Sequence, residues 1–289
     1  MQTVSYLFLR FMIGLTSVLP FRMLYIFSDL LYYILFYMVG YRRKVVFTNL
    51  KTSFPGKSEA EINMLVKKFY HHLCDITLES IKGFSMSADE VVRRHRIINP
   101  ETVEKYFEPG KSVICLPAHY NNWEWGSLSP GLQLSYPIVG FYKPLSNKIT
   151  DEYVKKHRAK FNTRLASIRQ TAATFQELAQ TPVLYIMAAD QSPSNIRDCY
   201  WVDFLNHDTA CLHGPEKYAR KFDIPVLYVE VAKVKRGFYE LNSTIITENP
   251  SELHEGEITR LYMKYLETTI LKEPAYWLWS HKRWKHSRN

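Results

Sequence analysis

An α/β fold is what this 289-residue sequence predicts: a mostly parallel or mixed sheet flanked by helices, behind an N-terminal hydrophobic helical membrane anchor. Three patterns carry this. Short apolar runs recur at residues 112–117 (SVICLP), 137–142 (PIVGFY), 182–188 (PVLYIMA) and 225–231 (PVLYVEV), and turn residues lead each one. Runs of that length bounded by turn residues read as buried strands. Helical stretches alternate with them, and such alternation builds a mostly parallel sheet between layers of helices. The third pattern is the apolar segment 1–41, which divides the chain into an anchor (1–41) and a folded domain (42–289).

The anchor consists of two apolar stretches split near residues 20–22. Residues 23–41 carry one charge, Asp29. This is close to the ~20 residues that a bilayer span needs. A charge at that depth costs ~3 kcal/mol or more, so Asp29 argues against a simple span and for a helix lying in the interface as the rival. No small-residue cleavage site follows. Arg42, Arg43 and Lys44 come next, which puts that flank on the cytoplasmic side. A buried helical hairpin is the soluble alternative.

Residues 58–82 then place Ile62, Leu65, Val66, Phe69, Leu73, Ile76 and Ile81 on one broad helical face. Ser58 and Glu61 form a capping box at its start. A short helix is read at 86–95. Pro109 and Gly110 lead into the first strand, and helices are expected at 122–134, 148–161, 170–180, 214–222 and 257–271. Residues 239–247 alternate more and read as an edge strand. In such folds ligands bind beyond the carboxyl ends of the strands. The loops at 117–119, 142–144 and 189–191 are therefore the site candidates.

Composition fits a folded, membrane-facing domain. With 46% hydrophobic and 22% charged residues, a sizeable core is available and disorder is excluded. A net charge of +9 favours an anionic partner. Nucleic acid is disfavoured, because no recognition motif occurs and the charge is spread along the chain. The four cysteines lack metal-like or disulfide-framework spacing, which fits a reducing compartment. His207, Cys211 and His213 lack a fourth ligand, so no metal is expected.

Residues 116–125 read LPAHYNNWEW. His119 leaves a predicted buried strand, and Glu124 follows five residues later at the start of the next helix. A strand-to-helix turn can bring the two together, with imidazole as general base and carboxylate as its orienter. The nucleophile would then be the substrate's own hydroxyl. Ten His and 28 acidic residues should give about one H-x4-[DE] match by chance, so position rather than pattern gives the pair its weight. Competing machinery is missing: there is no G-x-S-x-G elbow, phosphate-binding glycine loop or H-E-x-x-H.

These residues resemble the H-x4-[DE] motif of glycerolipid acyltransferases. More closely, they resemble the late acyltransferases of lipid A biosynthesis, the lauroyl and myristoyl transferases. Five further segments in order are similar to that family: YRRKVVFTNLKTSFP (41–55), YKP (142–144), AADQSP (188–193), YWVDFLNHDTACLHGPEKYAR (200–220) and YWLWSHKRWKHSR (276–288). The resemblance covers nearly the whole chain. It implies that residues 42–289 are an acyltransferase domain transferring an acyl group from acyl-acyl carrier protein to a hydroxyl of a lipid A precursor. His119 would be the base, Glu124 its orienter, and no cofactor would be needed. Arg158 and Asp190 match a family arginine and aspartate, and Arg158 would hold a phosphate or the thioester oxyanion. Lys143, and Arg164 as a weaker candidate, would contact an acceptor phosphate. Lys282, Arg283 and Lys285 would face anionic headgroups or the acidic carrier protein, the rival being a solvated basic tail. The implied partners are acyl carrier protein, an anionic lipid and the membrane, and the implied location is the inner membrane with the domain facing the cytoplasm. The loop at 191–200 (QSPSNIRDCY) departs from the family's Gly-rich version, which bears on acceptor choice. Two other functions stay open: the same chemistry on a lysophospholipid or lipoamino acid, and a non-enzymatic basic membrane binder.

Overall fold

The computed structural model describes residues 2–108 and 111–288, so the turn assigned to Pro109 and Gly110 lies outside the described residues. Two apolar helices open the chain, α1 (Gln2–Val18) and α2 (Phe21–Tyr33), and α2 runs on as a π-helical stretch, Ile34–Val39. They are followed by α3 (Arg43–Ser53), α4 (Glu59–Gly83) and α5 (Ala88–Arg94). The capping box is present: Ser58 Oγ accepts from Glu61 N, and the Glu61 carboxylate accepts from Ser58 N.

The sheet then begins with β1 (His95–Ile97), a turn of helix α6 (Glu101–Glu104) and β2 (Val113–Pro117). A 3-10 helix (Trp123–Ser127) and α7 (Pro130–Gln133) stand where one helix is expected at 122–134; Pro130 has no N–H to continue the first into the second. There follow β3 (Ile138–Tyr142), α8 (Lys148–Arg158), β4 (Thr163–Ser167), α9 (Thr171–Glu177) and β5 (Leu184–Ile186). A hairpin of β6 (Tyr200–Phe204) and β7 (His207–Cys211), helix α10 (Gly214–Phe222), strands β8 (Val226–Lys235) and β9 (Phe238–Thr247), and helix α11 (Glu257–Lys272) complete the order.

Seven strands form one sheet in the order β1-β9-β8-β2-β5-β3-β4, with every pair parallel except β8 with β9. Residues 239–247, expected at an edge, lie one strand inside it, because three-residue β1 covers β9. Both faces are buried, as parallel sheets require. Along β2, Ile114 and Leu116 pack on one side, while Val113 and Cys115 pack on the other. Strand β2 lies at the centre of the order, so its carboxyl end opens in the middle of the molecule.

Among the described residues one helix, Phe21–Val39, is long and apolar enough to cross a membrane. Its outward face exposes Met23, Ile26, Phe27, Leu30, Tyr33 and Tyr37, whereas Leu24, Ser28, Tyr32 and Phe36 are buried against the domain. Asp29 has a partner. Arg236, in the β8–β9 turn, bridges Asp29 and the buried Asp75 of α4, each at 2.6 Å. Ser28 Oγ donates to Asp75 at 2.7 Å. Lys82 Nζ caps the end of α1 through the carbonyls of Thr16, Ser17 and Leu19. The two N-terminal helices are therefore bound to the rest of the chain by charge as well as by apolar contact.

Arg236→Ala leaves Asp75 buried with only Lys233, at 3.8 Å, to offset it. The loss should be about 2 kcal/mol, below the range for fully buried pairs because Arg236 is partly exposed. Thermal unfolding in detergent checks this, and adding Asp75→Asn should restore part of the loss.

Candidate active site

After β2 the chain must turn sharply. Asn121 takes a left-handed conformation (φ 53°), which Asn tolerates better than most residues. Its side chain donates to Val231 O at 2.7 Å. Asn122 caps the 3-10 helix by accepting from Trp125 N at 3.1 Å. The C-terminal segment closes over this turn: Tyr120 pairs with Trp277, Asn121 N donates to Tyr276 O, and Leu278 N donates to His119 O.

His119 is held by Asp190, which lies on the loop after β5. Nδ1 is 2.7 Å from Asp190 Oδ1, and His119 N donates to Oδ2 at 3.0 Å. Trp277 Nε1 also donates to Oδ2, at 2.9 Å. Asp190 is 1% exposed, so these three donors replace its water. Burial pushes its carboxyl up, yet His119 and the hydrogen bonds outweigh this and hold it down at about 2. Burial likewise pulls the imidazole down, but Asp190 and then Glu124 raise it above its ordinary value. An ionised carboxylate only accepts, so Nδ1 carries the proton and Nε2 keeps a lone pair. The ring, 23% exposed, lines the cavity and stands edge-on to Trp123 at 5.3 Å between centroids.

Glu124 does not make the hydrogen bond that its spacing invited. Nδ1 of His119 is already taken by Asp190, and the Glu124 carboxylate is ion-paired with Arg158, at the end of α8. Glu124 therefore reaches His119 through its charge. Lys143, just past β3, lines the same cavity with Arg158. Arg164 does not: its strand neighbours Thr163 and Leu165 face the cavity, while Arg164 points away and pairs with Glu177 at 2.7 and 2.8 Å. Arg283, placed with the headgroup-facing residues by sequence, is 2% exposed and donates to Ala210 O at 2.7 Å. Lys285 does reach the cavity.

The cavity, about 540 Å³, starts at His119, Trp123 and Glu124 and extends over the sheet past Cys115 and Leu184 to Ile97 and Val103. Polar groups stand at one end, and the far end is apolar. All three loops singled out from sequence contribute to its lining.

Residues 2–286 match the family described as bacterial lipid A biosynthesis acyltransferase. The chain belongs to this family. It is also similar to the lipid A biosynthesis lauroyltransferase of Escherichia coli (strain K12), at 22% identity over 246 residues, which cover 84% of this chain and 79% of that protein. As a member of an acyltransferase family, the protein is a transferase of acyl groups.

Three further residues support this candidate site without a role read for them individually from sequence, although two of them, Trp277 and His281, lie in the family-like segment 276–288. Trp277 lies 87 residues from Asp190 in sequence. His281 lines the cavity from the C-terminal segment, whose backbone is tied to α3 by Asn49. Glu79, fully buried on α4, accepts from Tyr25 of α2 (2.8 Å), Tyr239 of β9 (2.8 Å) and Asn122 of the turn after β2 (2.7 Å). Glu79 had a signal: it falls three residues after Ile76 on the apolar face of its helix, where an acid needs partners.

The pair titrates in a defined direction. The depressed carboxyl of Asp190 contributes stability above the ordinary carboxylate range, lost as pH falls toward 2. The raised value of His119 contributes below pH 6.5 and is lost as pH rises through its folded value. NMR titration of labelled imidazoles should place His119 above 6.5, and Asp190→Asn should move it down while Glu124→Gln moves it down less.

Proposed function

We propose that the protein transfers a fatty acyl group from acyl-acyl carrier protein to a hydroxyl of a lipid A precursor, in the late acylation of lipid A. The single observation carrying the chemistry is the His119–Asp190 pair at the mouth of a long apolar cavity. Nε2 takes the proton from the acceptor hydroxyl, and that oxygen attacks the thioester carbonyl carbon. The tetrahedral oxyanion collapses, the C–O bond of the new ester remains, the C–S bond breaks, and the leaving thiolate recovers the proton from His119. Asp190 orients the ring and stabilises the imidazolium. Arg158, fixed by Glu124, keeps free N–H donors that suit the oxyanion, and Lys143 suits a phosphate of the acceptor. The apolar length of the cavity suits the acyl chain of the donor. The similarity to a lipid A lauroyltransferase supports the choice of acceptor. The exposed apolar faces of α1 and α2, with Arg42, Arg43 and Lys44 next in sequence, support attachment to the inner membrane with the domain on the cytoplasmic side.

His119→Ala should abolish transfer while the protein stays folded and membrane-bound. Lipid mass spectrometry of a deletion strain should show lipid A lacking one acyl chain, restored by the wild-type gene and not by His119→Ala. Unchanged lipid A would exclude this acceptor and favour a lysophospholipid or lipoamino acid. Because neutral imidazole is the base, kcat/KM should rise with pH along an acid limb above 6.5.

A further inference from the structure

The Glu124–Arg158 ion pair has a cavity on each side. Beyond the one described above, a second of about 370 Å³ lies under α1, between α4 and α8. Trp123, Glu124, Ser127 and Arg158 line both. The walls of the second are mostly apolar, with Leu9 of α1, Leu73 and Ile76 of α4, Phe84 just past it, and Leu145 and Val154 beside and on α8, while Thr77, Ser80 and His157 add polar groups.

Helix α1 is seated as the roof of this groove by specific contacts. Tyr6 meets Tyr153 of α8 edge-on at 5.7 Å, Arg10 lies over the same ring at 5.2 Å, and Asn147 Nδ2 donates to Gln2 O at 2.8 Å. The other face of that roof exposes Val4, Leu7, Phe8 and Phe11. An exposed apolar patch of this size on a helix marks a lipid or protein contact. The groove therefore runs from exposed Leu145 at the surface to the Glu124 carboxylate and the Arg158 guanidinium.

We infer that this groove binds a hydrocarbon chain of the membrane-borne acceptor lipid. The inference rests on the acyl-transfer reading above and adds the second substrate's place. Two lipid chains must meet at His119, and the first cavity, about 540 Å³, is the one assigned above to the donor's chain. The groove opens to the surface at Leu145, which is 47% exposed, beside the exposed apolar residues of α1, so a lipid chain can enter next to an apolar surface. The ion pair then stands between the two chains, where donor carbonyl and acceptor oxygen come together.

The test uses the full-length protein in detergent and two probes. One is a single-chain phosphatidylcholine carrying a mid-chain diazirine, photolysed and mapped by mass spectrometry. It should label the groove faces of α4 and α8 near Leu73 and Val154, and Leu145→Trp should suppress that labelling. The other is kinetic. Leu73→Trp and Leu145→Trp, both partly exposed positions that can carry a larger ring, should raise the acceptor KM about tenfold and leave the donor KM unchanged. Labelling confined to the outer faces of α1 and α2, or acceptor KM unchanged in both variants, overturns the inference. If the wild-type protein transfers no acyl group, the reading of its reaction falls, and the labelling pattern still decides the groove.

Discussion

The buried carboxylate of Asp190 is the constraint on which this site depends. An ionised group at 1% exposure persists only if its hydrogen bonds are supplied by protein. Three donors from two parts of the chain meet that need: the ring of His119, its backbone N–H, and the indole of Trp277. Satisfying the carboxylate therefore fixes the end of β2, the loop after β5 and the C-terminal segment relative to one another. The same bonds select the imidazole tautomer that leaves Nε2 available toward the cavity.

A second buried acid extends that logic to the N-terminal helices. Glu79 gathers Tyr25 from α2, Tyr239 from the sheet and Asn122 from the turn after β2. Asp75, one turn earlier on α4, gathers Ser28 and Arg236, and Arg236 in turn holds Asp29. One helix thus carries two acids on its buried side that tie the apolar N-terminal helices to the domain. This explains an acidic residue within an otherwise apolar segment: Asp29 faces a cation from the sheet. Pulling α2 away from the domain would break that pairing.

Much of this was legible in the sequence, and the failures have physical reasons. Proline-led apolar runs gave four strands, and the box of Ser58 and Glu61 gave the start of α4 within one residue. Strand β4 (TRLAS) and the hairpin β6–β7 (YWVDF, HDTAC) carry too many polar residues to read as strands, because each has only part of its surface buried. At the site, His119 was marked by its place after a core strand. Its hydrogen-bond partner differs from the one that spacing suggests. Glu124 is five residues away and visible as spacing, whereas Asp190 is 71 residues away and is brought in by the β2–β5 pairing. Asp190 was named only by resemblance, with no role read from local pattern.

In the proposed reaction Asp190, not Glu124, orients His119 as the base. The most direct measurement compares kcat for acyl transfer in Asp190→Asn and Glu124→Gln, each shown to be folded. The account predicts a loss of ~10⁴-fold for Asp190→Asn, as when a triad carboxylate is replaced by its amide. For Glu124→Gln it predicts a loss of about 10²-fold or less, the scale of a displaced positioning group. A larger loss for Glu124→Gln than for Asp190→Asn would contradict it.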